Sequence, residues 1–367
     1  MSSRFGPAEV MQSVTVHPTE PISTTITSLA VPASLEAYEV LIKVYAAASN
    51  PKDWIHLVSR GQSLNSGDDL AGIVAAIGSD VTTVHIGDRV AAFHPIGQPY
   101  GAYAEYASAP AHTVFKIAES MSFEEASTIP LVSLTAAITL FRRQGFMAPW
   151  DQQSTAQHSK PLLVYAATSA LGTFIIKLAK LAGIRPIIAI GGGSSAYLNT
   201  LLDKQDVFLD YRSGMDKVKQ DVRQIVEGRK LELLHAVDAF SEKGSWVGVS
   251  QMMDGGILSV FSGANRYDDT GIAGDVQVLY TYIGTGHDGA YKPGMPKQPS
   301  AADARGDINF AGEFFNWLGT VVRQGTFSGH PFEVIPGGLD GVAEGLNRLK
   351  NGQARGKKLV YQISTDS

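Results

Sequence analysis

The stretch LLVYAATSALGTFIIKLAK, residues 162–180, decides how the chain is read. An apolar run turns tightly at Ala166-Ala167-Thr168 and continues in helical register, as a strand does on entering the helix of a βαβ unit. Nucleotide-binding units of this kind carry three glycines: one for the turn, one that admits a pyrophosphate, one where helix packs on strand. Here those positions are Ala167, Ser169 and Gly172. Alanine and serine are the least bulky replacements, and the helix start at Thr168, Ser169, Ala170, Leu171 and Gly172 would present N–H groups to phosphate. The stretch by itself does not separate a phosphate cradle from a packing turn.

Its surroundings narrow the choice. After residue 160, apolar strands alternate with helices: PIIAI (186–190), a helix over 195–203, DVFLDY (206–211), a helix over 215–227, LLHAVDAF (233–240), a helix near 244–253, GILSVFS (256–262) and VQVLYTYIG (276–284). Strands apolar on both faces and joined by helices imply a doubly wound parallel sheet. The second strand runs into GGGSS, where a fold that binds NAD places an Asp or Glu on the ribose hydroxyls. No acidic residue lies between Asp151 and Asp203, and Ser194, Ser195, Tyr211 and Arg212 are suited to a 2′-phosphate instead. That composition favours NADPH over NADH; the alternative is that GGGSS is only a loop.

From residue 10 to about 118 the pattern is different. SVTVHP, EVLIKVYAAAS, AGIVAAIGSDVTTV, DRVAAFHP, AYAEYASAP and HTVFKI read as short strands of a small antiparallel barrel, with Gly87-Asp88 as a turn. SMSFEEASTIPLVSLTAAITLFRRQG reads as a helix capped at Ser122. Pro149 to Lys160 and residues 285–305 read as polar connections. A helix INFAGEFFNWLGTVVRQG, a strand HPFEVIP, a helix GLDGVAEGLNRLKNG and a strand KKLVYQIS follow.

Composition sets the outer limits. The chain has 367 residues, 44% of them hydrophobic and 18% charged, and is long enough for about two domains. A formal net charge of −5 gives no basic footprint for nucleic acid. No run reaches the roughly 18 apolar residues of a membrane span, and MSSRFGPAEVMQS lacks an apolar leader core, so the expected place is the cytoplasm. Cysteine is absent, which removes disulfides, thiol nucleophiles and thiolate zinc sites. The nine histidines are scattered without metal-ligand spacing, and redox chemistry would need a cofactor.

With these residues in view, the chain resembles the medium-chain dehydrogenase/reductase superfamily, in its zinc-free branch of quinone oxidoreductases and fungal trans-acting enoyl reductases. The resemblance rests on AAASNPKDW (46–54), GDDLAGIVAAIGSDV (67–81), GDRV (87–90), GAYAEY (101–106), IPLVSLTAAITLF (129–141), VYAATSALGT (164–173), VFLDYR (207–212) and PGGLDGVAEGLNRLKNGQARGKKLVY (336–361), in family order. It implies a GroES-like catalytic domain from residues 1–128 and 287–367, and a Rossmann NADPH-binding domain over 129–286. Zinc enzymes of the superfamily carry a Cys ligand about where Asn50 to Asp53 stand and Gly-His-Glu where Gly67-Asp68-Asp69 stand. This chain has neither, so no metal is expected.

The resemblance further implies hydride transfer from NADPH to an activated, α,β-unsaturated carbonyl or to a quinone. It places Asn50 and Lys52 in catalysis, as polar donor and as electrophile or proton source. Pro51, Asp53, Trp54, Phe261, Ser262 and Arg355 fall beside the cofactor, and Trp54, Leu131, Thr135 and Tyr282 beside the substrate. The α-carbon proton could also come from Tyr100, Tyr103, Tyr282 or water. Three functions stay open: a reductase of free enones or quinones, a trans-acting enoyl reductase meeting the carrier domain of a polyketide synthase, and a non-enzymatic NADPH-binding protein. Ile55 stands where many fungal relatives carry a lysine and leans against the second; the SNPKDW segment leans against the third. Relatives occur as monomers and as homodimers.

Overall fold

A computed structural model describes residues 9–151, 160–289 and 300–364. In chain order, β1 (Val10–His17) and β2 (Ser23–Ala30) precede β3 (Glu39–Ala48), which turns into α1 (Lys52–Arg60). β4 (Asp69–Ile77), β5 (Arg89–Phe93), β6 (Tyr106–Pro110), β7 (Val114–Lys116), α2 (Phe123–Ser127) and α3 (Pro130–Ala137) follow. Strands and helices then alternate through β8 (Leu162–Tyr165), α4 (Ala170–Leu181), β9 (Ile187–Gly191), α5 (Ala196–Leu201), β10 (Val207–Asp210) and α6 (Met215–Arg229). They continue as β11 (His235–Asp238), α7 (Ser245–Ser250), β12 (Gly256–Val260) and β13 (Val276–Tyr280), ahead of α8 (Ala301–Arg323), β14 (Phe332–Ile335), α9 (Val342–Lys350) and β15 (Lys358–Gln362).

The chain divides into two units, residues 1–131 with 309–367, and residues 132–308. The expected division lay at 128/129 and 286/287. α8 is one continuous helix that begins at Ala301, whereas the sequence pattern began it only at Ile308.

In the first unit the sheet runs β14-β15-β3-β4-β5-β7, with β6 also on β3. β3 is the organising strand. Its start, Glu39 to Lys43, pairs with β6, its end, Ala46 to Ala48, pairs with β15, and β4 runs along its other edge. Flanked so completely, its Val40, Leu41, Ile42 and Val44 are buried; Val40, Ile42 and Val44 join Val74, Val90, Leu346 and Leu359 in the core, and Leu41 packs with Met11 and Ala104. The register with β4 shifts between Val44 and Ala46, opposite Gly72. A side chain at Gly72 would overlap the carbonyl oxygen of Lys43.

β2 and α1 were not expected from the sequence. β2 is exposed along most of its length and shows no apolar alternation, yet it pairs with all of β1. α1 starts where Asn50-Pro51 reads as a turn, because Pro51 supplies a helical φ of −54° at the first position. The expected single helix after Ser122 is divided into α2, α3 and a π-helical stretch, Ile138–Arg143. Pro130, which has no N–H to donate, opens α3.

The second unit holds a six-stranded parallel sheet in the order β10-β9-β8-β11-β12-β13. Its direction of winding reverses between β8 and β11, where doubly wound folds bind ligands beyond the carboxyl ends of the strands. Leu163, Ile188, Ala236 and Leu258 are fully buried, as strands covered on both faces require. Of the expected connections, residues 152–159 and 290–299 lie outside the described residues. Among the described residues, no helix is long and apolar enough to cross a membrane.

A Gly72→Ala variant is expected to lose at least about 2 kcal/mol of stability, since backbone must move to admit one methyl group. Chemical denaturation that leaves the midpoint unchanged would contradict the tight β3–β4 approach.

Candidate active site

The pairing of β3 with both β4 and β15 sets three remote residues at one place. Ala48 lies opposite Asp69 on one side and Val360 on the other, and the Ser49 N–H donates to the Leu359 carbonyl at 2.9 Å. Asn50 follows, 3% exposed. Its Nδ2 donates to Asp69 Oδ2 at 2.9 Å, and its Oδ1 accepts from Lys358 Nζ at 2.9 Å. Lys358 Nζ also donates to Asp69 Oδ2 at 2.6 Å, and Asp69 Oδ1 accepts the Leu131 N–H at 2.7 Å. One N–H of the Asn50 amide is therefore committed to structure.

The first turn of α1 adds a second charged group. Lys52 Nζ donates to the Ser66 carbonyl at 2.7 Å, lies 2.8 Å from Asp53 Oδ1 and pairs with Asp68 Oδ2. Asp53 Oδ2 accepts the Asn50 N–H at 2.8 Å and the Tyr103 hydroxyl at 2.6 Å. Gly67 is required beside it, because a Cβ there would sit 2.7 Å from the Tyr103 ring. Asp53, Asp68 and Asp69 are all 0% exposed, whereas the Lys52 side chain keeps 14%. It opens on a small surface recess of about 10 Å³, lined also by His56, Arg60, Gln62, Leu64 and Ile96.

Burial alone would lower the Lys52 pKa, but the charges of Asp53 and Asp68 hold it up at about 12. Burial pushes Asp68 up to about 7 against the pull of Lys52, with Asp53 and Asp69 adding to the rise. Burial, followed by Lys52 and Arg60, lowers His56 to about 4. Burial and Asp53 raise Tyr103 well above the usual phenol. Tyr103, considered as a proton donor to substrate, is thus corrected: it is 0% exposed and its hydroxyl is spent on Asp53. Trp54 packs on the barrel core with Lys350 5.7 Å above its ring. Leu131 and Thr135 are each 7% exposed, and Arg355 is exposed.

The second unit carries the residues expected to hold a nucleotide. β8 ends at Ala166 in the left-handed region, φ 57°, and the Ala167 N–H donates to the Ile190 carbonyl at 2.9 Å. Ser169 caps α4 by accepting the Gly172 N–H at 3.0 Å, in front of Ala170 and Leu171. A Cβ at Gly172 would lie 2.5 Å from the Ala166 carbonyl oxygen, so glycine is required where helix meets strand. Thr168 lies over Gly191 at the end of β9, Tyr211 over Gly192 and Arg212 over Gly193. Ser194 is exposed and Ser195 half-buried at the start of α5. Arg212 is itself paired with Asp210, at the end of β10.

Beyond β11 and β12 lies a network the sequence reading missed. Buried Asp238 accepts the N–H groups of Phe240 and Ser241 at 3.1 and 3.0 Å and the Ser245 hydroxyl at 2.5 Å. Ser241, at φ 51°, accepts the Phe261 N–H at 3.0 Å, while Tyr267 holds the Ser262 carbonyl at 2.7 Å. An acid closing a strand and followed by AFS was the available signal. Tyr282 is half-buried beyond β13.

Two outcomes follow. Lys52→Met leaves two buried carboxyl groups, Asp53 among them as a carboxylate, without their cation, and should cost about 3 kcal/mol or more in denaturation at neutral pH; an unchanged midpoint would contradict the pairing. Asp68 has its folded pKa raised, so the stability it contributes is present below the ordinary carboxylate range and lost as pH rises through about 7. Melting temperature against pH should accordingly fall less steeply over that window in Asp68→Asn than in the unmodified chain.

Residues 36–119 match the alcohol dehydrogenase GroES-like domain. The chain is 32% identical over 306 residues to trans-enoyl reductase fsr4 of Gibberella fujikuroi, covering 82% of this chain and 84% of that one. It is 31% identical over 343 residues to trans-enoyl reductase resD of Aspergillus sclerotiorum, covering 88% and 92%. The quinone oxidoreductase of Coxiella burnetii shares the fold, with a TM-score of 0.65 at 19% identity over 97% of this chain and 100% of that one. The chain belongs to the medium-chain dehydrogenase/reductase superfamily, in the zinc-free branch that contains the fungal trans-enoyl reductases, and is an oxidoreductase.

Proposed function

We propose that the chain is an NADPH-dependent reductase of carbon–carbon double bonds conjugated to a carbonyl. The observation that carries this is Lys52: a cation fixed by two buried carboxyl groups, with its exposed part turned to a small surface recess. Such a preorganised charge stabilises an enolate oxygen as it forms and needs no reorganisation at that moment. The fungal relatives are named trans-enoyl reductases, which supports the same chemistry.

The residues of the second unit fit the cofactor. Gly172 admits close helix packing, Ala167 and Ser169 leave the turn narrow, and the first N–H groups of α4 suit a pyrophosphate. Ser194, Ser195 and Tyr211, with Arg212 over Gly193, would hold the 2′-phosphate, and Phe261 and Ser262 the nicotinamide end. When bound, NADPH supplies a hydride. Asn50, oriented by Asp69 and Lys358, and Lys52 would then orient the substrate carbonyl and return a proton, so that substrate, NADPH and one proton give saturated product and NADP⁺.

Nicotinamide oxidation followed with an enoyl thioester, a simple enone and a quinone tests the reading. Turnover with the conjugated carbonyls is expected, with the thioester preferred if a synthase presents it; turnover of the quinone alone would contradict the proposal. NADPH is expected to bind at least about tenfold more tightly than NADH, about 1.4 kcal/mol. A Ser194→Asp/Ser195→Asp variant should abolish that preference, and an unchanged NADPH affinity would show the 2′-phosphate to lie elsewhere.

A further inference from the structure

We propose that Asp68 is a proton-holding residue that reloads the Lys52 ammonium during turnover, acting through Lys52 rather than on the substrate. The relay rests on the reductase reading above; the protonation of Asp68 does not.

The charge count is the first ground. Lys52 and Lys358 face Asp53, Asp68 and Asp69, three carboxyls against two ammonium groups, and all three carboxyls are 0% exposed. The other titratable groups packed around them do not balance the count. Burial keeps His56 on α1 and His94 beyond β5 below the ordinary imidazole range, and Tyr103 stays a neutral phenol. An uncompensated charge in such a place costs several kcal/mol, and a carboxyl that keeps its proton removes it.

The hydrogen bonds single out which carboxyl. Asp53 receives Lys52, the Asn50 N–H and the Tyr103 hydroxyl. Asp69 receives Asn50 Nδ2, Lys358 and the Leu131 N–H. Asp68 receives Lys52 alone, on Oδ2, and its buried Oδ1 has no hydrogen-bond partner. Burial raises Asp53 as well as Asp68, but Asp53 and Asp69 are supported by three donors each, so the proton belongs on Asp68.

Exposure then orders the transfer. Asp68 cannot touch a substrate, whereas Lys52 lines the recess. After hydride reaches the β-carbon, an N–H bond of Lys52 breaks and its proton bonds to the α-carbon of the enolate, leaving a neutral amine. The Asp68 O–H bond then breaks, its proton goes to that amine, and Asp68 is left as the carboxylate. Once product departs, solvent entering the recess restores the proton, so each turnover takes up one proton.

Infrared difference spectroscopy of the full chain, with and without NADP⁺, reads the proton directly. The expected result is a protonated-carboxyl C=O band that disappears as pH rises through about 7, is absent in Asp68→Asn and persists in the surface variant Asp88→Asn. With an enoyl thioester, Asp68→Asn should lower kcat at least about tenfold, leave KM and NADPH affinity unchanged, and lose the fall in kcat above neutral pH. If the Asn variant does not fold, Asp68→Glu should shift the band and its titration. No such band in the unmodified chain, or an Asp68→Asn enzyme with unaltered kcat and pH profile, overturns the proposal. A band without turnover of any conjugated substrate overturns the reductase reading and the relay with it, while leaving the proton on Asp68.

Discussion

A lysine ammonium closed between two buried carboxyl groups holds one corner of the first unit together. Lys52 stands on the first turn of α1, Asp53 beside it, and Asp68 one residue before β4. Their attraction fixes the β3–α1 turn against the start of β4, and Tyr103 and Gly67 pack into the same corner. Had Lys52 been lost alone, the remaining acids would have been left buried with excess negative charge. The second pair, Lys358 with Asp69, extends this tie to β15 and passes it to the N–H of Leu131.

The same two segments, SNPKDW and GDDL, stand where zinc enzymes of the superfamily carry their metal ligands. In this chain they meet through an ammonium ion, which brings positive charge to the corner without an open coordination position. An ammonium can orient a carbonyl and also give up a proton, and a metal ion does only the first by itself.

Much of this was legible in the sequence. The strand–helix alternation after residue 160, the Ser169 cap and the close approach at Gly172 follow from residue size and apolar period, which are local. Ser122 capping α2 is equally local. What escaped the sequence depended on pairing at a distance. β2 hides in neutral, exposed residues and is specified by β1, and the partners of Asn50 and Lys52 lie on β4 and β15, remote in the chain. No spacing rule announces that Lys358 and Asp69 will share one amide. Asp238 was missed because one acid at the end of a strand has no period, although its three donors fix the loop that carries Ser241.

The proposed function divides the chemistry between the two units. One supplies a strained, small-residue rim at Ala166, Gly172 and Ser241, suited to a dinucleotide; the other supplies fixed charge. That division is most directly tested by the position of the label when NADPH carrying deuterium on its transferable nicotinamide carbon reduces an enoyl thioester in ordinary water. The account predicts deuterium on the β-carbon of the product and solvent hydrogen on the α-carbon. Deuterium on the α-carbon, or none in the product, would contradict it.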